Sequence, residues 1–138
     1  MVNLAAWFKR YEWGYVEVEG GVFRATFATE TDDEFDLFVF VEDDWVHLAV
    51  SPLLTAASMV EPGALLPILL RLNQRLTAAR FALDSDGDVN LLADLPVAGA
   101  TYAAFAQILD LLTEYVGRLV GELRRAAGNP GYQSPLFS

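Results

Sequence analysis

Cysteine is absent from the 138 residues and histidine occurs once. The first absence removes disulfides, thiol nucleophiles and thiolate metal sites, and it suits a cytoplasmic protein. The second removes most imidazole chemistry. His47 has no second histidine and no cysteine to join it in holding a metal, and no serine–acid pattern accompanies it. It reads as a strand histidine on a partly exposed face. Long apolar runs are also missing: a membrane helix needs roughly 18 to 20 such residues. "GALLPILLRLN" is shorter than that and is broken by Arg71. "MVNLAAWFKRYEW" lacks the basic leader, apolar run and cleavage site of an export signal, so none is expected. No glycine loop leads from a strand into a helix to cradle phosphate.

Positive charge is the scarcest commodity. The net charge is −10, and no Lys or Arg occurs between Ala25 and Leu70. That stretch holds Glu30, Asp32, Asp33, Glu34, Asp36, Glu42, Asp43, Asp44 and Glu61. A chain so acidic is not expected to bind nucleic acid directly, because phosphate is held by Lys and Arg. The acids form either a solvated, solubility-conferring surface or an electrostatic docking face for a basic partner.

What is present divides into clear elements. Leu4, Trp7, Phe8 and Tyr11 recur at helical spacing and predict a short amphipathic helix that Gly14 stops. "YVEVE" alternates before the turn signal at Gly20 and Gly21, and "VFRATFAT" completes a hairpin. "FDLFVFVE" is apolar on both faces and is expected to be a central strand, and "WVHLAVS" follows it, ending near Pro52. Leu65, Leu69, Leu72 and Leu76 make one stripe of a second helix; Leu66 and Leu70 lie on another, beside Asn73. Thr101 is a plausible N-cap for a long helix along Tyr102, Phe105, Leu109, Leu112, Val116, Leu119 and Leu123, with stop signals at Gly128 and Pro130. Residues 1–128 are read as one domain. Residues 129–138 are read as a flexible tail, with Tyr132, Leu136 and Phe137 as a docking peptide otherwise.

The stretch "ARFALDSDGDVNLLADLP" (79–96) clusters Asp84, Asp86, Asp88 and Asp94. A calcium-binding helix–loop–helix needs Gly at loop position 6 and a closing Glu at position 12. With Gly87 at position 6, Ala82 and Ala93 fall where acids are required. With Asp84 first, Val89 and Leu95 take the strict positions. A hairpin with "SDGD" as its turn explains every residue, so no metal and no cofactor are expected.

The order α-ββββ-α-ββ-α defines an α+β fold with an antiparallel β-sheet packed against helices. Together with "LLRLN" at 69–73, the 79–96 hairpin and "FAQILDLL" at 105–112, it resembles the YbjN-like family. That resemblance implies the fold of type III secretion chaperones: small, acidic, homodimeric proteins that bind an extended client segment without ATP. It brings no catalytic residues. The expectation is therefore a cytoplasmic, non-enzymatic, homodimeric adaptor or chaperone-like regulator. Leu66, Leu70 and Asn73 are candidates for the dimer seam, or else a second layer of the same core. Trp7, Phe8, Asp32, Asp33, Glu34, Asp43, Asp44 and Trp45 are candidates for contact with a client protein. A basic, nucleic-acid-associated client fits the charge. The alternative is a small-molecule sensor with a pocket between sheet and long helix, lined by Phe and Tyr.

Overall fold

The computed structural model describes residues 1–138 apart from Glu61, Pro130 and Ser138 and the side chains of Pro62 and Phe137. The acid expected at Glu61, the stop signal at Pro130 and the docking side chain of Phe137 lie outside the described residues. The chain runs α1 (Leu4–Tyr11), β1 (Val16–Val18), β2 (Val22–Ala28), β3 (Glu34–Glu42), β4 (Trp45–Leu54), α2 (Pro62–Arg75), β5 (Ala79–Leu83), β6 (Val89–Pro96) and α3 (Tyr102–Gly128). The strands form one antiparallel sheet in the order β1-β2-β3-β4-β6-β5. The fold is α+β with the element order read from the sequence, and β3 and β4 are its central strands. No helix among the described residues is long and apolar enough to cross a membrane.

Local chemistry sets the helix ends. Asn3 Oδ1 accepts the Ala6 N–H at 3.0 Å and opens α1, while Glu12 closes it in the left-handed region at φ 65°. Thr101 Oγ1 accepts the Ala104 N–H at 3.1 Å. The 27 residues of α3 run on the order of 40 Å, enough to cross the sheet. Along β3, Phe35, Leu37 and Val39 are buried, as are Val46, Leu48 and Val50 of β4 and Val89, Leu91 and Ala93 of β6. Against them pack Leu65, Leu69 and Leu72 of α2 and Phe105, Leu109, Leu112, Val116 and Leu123 of α3. This is one continuous core on one side of the sheet.

Trp7 and Phe8 belong to that core. Phe8 is 0 % exposed and meets Phe105 edge-on with ring centroids 5.4 Å apart, while Trp7 lies 5.2 Å from the same ring. Two of the residues expected to meet a client are therefore interior, because the apolar stripe of α1 is what fastens the helix to α3. Val16 and Val18 share one face of β1, and it is the outer one. They pair with Arg24 and Val22, whose side chains face away from the helices, and Val16 is 53 % exposed. β4 also continues through Pro52 to Leu54, with a cis Ser51–Pro52 bond and a register shift against β6 between Val50 and Leu54.

Candidate protein-binding surfaces

The loop from β2 to β3 is held by its own backbone: the N–H of Thr29 donates to Asp33 O and that of Asp32 to Thr29 O, both at 2.9 Å. Asp32 takes a left-handed φ of 62° there. The Asp33 carboxylate accepts the Thr31 hydroxyl at 2.9 Å and sits 2.9 Å from the Arg124 guanidinium of α3. The Thr31 hydrogen bond, then Arg124, holds its carboxyl below the usual carboxylate range. Glu34 opens β3 beside it. Asp43 and Asp44 form the turn to β4 with φ 53° and 65°, a two-residue reversal in the left-handed region. Trp45 follows, 44 % exposed and paired with Glu42 and Pro96. Asp32, Asp33 and Glu34 thus stand at one end of β3, and Asp43, Asp44 and Trp45 at the other.

The second candidate surface lies on α2. Leu66 is 38 % and Leu70 71 % exposed, and both border a groove with Leu83 of β5, itself 51 % exposed. Leu69, Phe81 and Ala82 complete its walls, around a volume of about 270 Å³. Alternation alone places Leu83 inward with Phe81. Its exposure comes from its position on the outermost strand, which only the strand order reveals. Asn73 is committed within the chain: its Oδ1 accepts the Phe81 N–H at 2.7 Å and its Nδ2 donates to Phe81 O at 3.1 Å.

Sequence spacing gives no sign of two further polar clusters, those around Asp94 and Tyr11. Asp94 of β6 accepts His47 Nδ1 and Arg80 Nη1, each at 2.7 Å. Burial pulls its carboxyl up, but these two hydrogen bonds outweigh burial and leave it below its ordinary value. Tyr11 donates its hydroxyl to Asp110, and burial, then that bond, raises its phenol. One carboxylate oxygen from each of Asp84, Asp86 and Asp88 lies within 4.8 Å of the others. Asp84 and Asp88 serve the fold: Asp84 Oδ1 accepts the N–H groups of Asp86 and Asp88 at 2.9 and 3.1 Å within the turn, and Asp88 Oδ1 accepts that of Ala56, beyond β4, at 2.7 Å. Between sheet and α3 the space is filled by Phe105, Leu109, Leu112 and Val116. A cavity of about 460 Å³ opens instead at the rim, among Thr26, Asp36, Pro52, Leu53, Ser58 and Arg124.

An antiparallel sheet in this strand order, with its helices on one face, is the fold of the type III secretion chaperones. The heterodimeric ExoU–SpcU complex from the type III secretion system of Pseudomonas aeruginosa matches with TM-score 0.57 at 20 % identity, over 86 % of this chain and 96 % of that one. The ExsC–ExsE complex matches with TM-score 0.58 at 20 % identity, over 85 % and 90 %. YbjN from E. coli matches with TM-score 0.56 at 17 % identity, over 85 % of each chain. The family model of YbjN, described as "Putative bacterial sensory transduction regulator", covers residues 2–125. The chain belongs to the YbjN family. No curated protein matches it.

Proposed function

We propose that this chain is a non-enzymatic, protein-binding adaptor of the cytoplasm that acts as a homodimer and holds a client protein through apolar and acidic surface. The observation that carries the reading is the open groove of Leu66, Leu70 and Leu83. Leucines exposed to 38–71 % and gathered around one groove gain free energy when another surface covers them. The fold supports the protein-binding part, since similar folds occur in a "Chaperone-Effector Complex" and in other complexes of two different proteins. Leu66 and Leu70 are the seam between two copies. Trp45 with Asp32, Asp33, Glu34, Asp43 and Asp44 is the surface offered to the client, for which a basic protein fits the charge.

Leu70→Asp tests the seam: wild type should scatter light at twice the mass of one chain and the variant at that mass. A variant that remains dimeric removes Leu70 from the seam. Affinity capture of a client from native lysate, repeated between about 0.05 and 0.5 M salt, tests the surface. Capture that is indifferent to salt removes its electrostatic part.

A further inference from the structure

The face of the sheet turned away from the helices is not the polar surface that a one-layered antiparallel sheet ordinarily shows to water. On β3 the buried residues are Phe35, Leu37 and Val39, so the opposite set is Glu34, Asp36, Phe38, Phe40 and Glu42. The strand presents acid, acid, phenylalanine, phenylalanine, acid. Strand pairing extends the centre sideways: Phe38 lies between Ala49 and the exposed Arg24, Ala49 lies opposite Leu92, Leu92 opposite Arg80, which Asp94 holds, and Phe40 opposite His47. The Phe40 and His47 rings are 5.1 Å apart. Phe38, Phe40, Ala49 and Leu92 are all half-buried and none packs against the core, so no described element lies over them.

Charge selects among possible occupants. Among the described residues no cation pairs with Glu34, Asp36 or Glu42. Asp36 accepts only the Thr26 hydroxyl, at 2.8 Å, and Arg124 at the near end is taken by Asp33. Asp43 and Asp44 add to the far end. A second copy stacked here would bring two chains of charge −10 together, with uncompensated carboxylates at the margins of the contact, and like charges across an interface oppose association. Nucleic acid and anionic lipid are repelled for the same reason. A small polycation would satisfy the acids and leave the phenylalanines in water.

We propose that this helix-free sheet face, centred on Phe38 and Phe40, docks a segment of a partner protein in which apolar side chains lie between basic ones. The inference rests on the protein-binding reading above and adds the place and the chemistry of the partner. From Asp36 to Glu42 is roughly 20 Å along an extended strand, so the basic groups should be about six residues apart in an extended partner.

The probe is a synthetic peptide of about eleven residues with paired lysines near each end and alternating Leu and Phe between them, beside a counterpart with every lysine replaced by glutamate. It is titrated into the ¹⁵N-labelled full chain. The lysine peptide should shift amides of β3, β4 and β6, and the glutamate peptide should not bind. Phe38→Thr with Phe40→Thr keeps strand propensity and should weaken binding roughly tenfold. Asp36→Asn with Glu42→Gln, which leaves the apolar centre untouched, should weaken it several-fold and flatten its salt dependence. Failure of the lysine peptide to bind, equal binding of the glutamate peptide, or shifts confined to the α2–β5 groove would overturn the proposal. So would a change of oligomeric state in the double threonine variant, which assigns the face to a second copy. Equal affinity for a short polylysine lacking Leu and Phe would reduce the site to charge alone and also overturn it. If a full-length client binds the double threonine variant as well as wild type, this assignment fails and the protein-binding reading stands; if wild type binds no protein, both fail.

Discussion

Asn73 does with one side chain what a neighbouring strand would do with its backbone. Its amide both accepts from and donates to Phe81, satisfying two outward backbone groups of β5 and tying that strand to α2. Asn73→Leu keeps the volume and loses both bonds. It should lower unfolding stability by about 1–3 kcal/mol, read from urea denaturation; an unchanged midpoint would show that water replaces the clamp at no cost. Helical spacing in the sequence makes Asn73 a neighbour of Leu66 and Leu70, which is why it reads as part of a seam. A partner in β5 is a tertiary fact that periodicity does not carry. The same limit applies to Trp7 and Phe8: their spacing marks one face of a helix, but whether that face meets Phe105 or a client depends on where α3 crosses.

At the scale of elements, helices and strands are legible because each has its own period and punctuation: Thr101 caps α3, and Gly20 and Gly21 turn β1 into β2. The phase of β1 is not legible. Alternation in "YVEVE" separates Val16 and Val18 from the glutamates, but a three-residue edge strand is placed by its turn and its pairing with β2, and these put the valines outward. The segment after α3 carries no period, yet it makes specific contacts. The Tyr132 hydroxyl donates to Glu122 at 2.5 Å, Arg125 donates to the same carboxylate, and Arg75 donates to Leu136 O at 3.0 Å. The Tyr132 bond, then Arg125, holds the Glu122 carboxyl below its ordinary value of 4.5. A depressed carboxyl contributes to docking above that value, and the contribution is lost as pH falls through the folded pKa. Amide signals of residues 131–136 should therefore be those of ordered chain at neutral pH and sharpen toward random coil in acid, below the ordinary carboxylate range. Tyr132→Phe should loosen the segment at neutral pH. Signals unmoved by either change would show that Leu136 packing alone holds it.

For the molecule as a whole, the two proposed kinds of contact carry opposite salt signs. The α2–β5 groove is apolar, and joining two copies there brings together two chains of charge −10. Added salt screens that repulsion, so dimer dissociation should become weaker between about 0.05 and 0.5 M salt, as followed by sedimentation. Client binding over the same range should weaken instead of tightening, because there the charges attract. A dimer that loosens with salt would mean that ion pairs, not leucines, make the seam.

The embrace of α1 by α3 has a consequence for how the protein is made. Trp7 and Phe8 leave the ribosome well before Phe105, on which both rest. During synthesis a nascent chain carries these two aromatic rings without their partner until α3 emerges, so this part of the core can close only then.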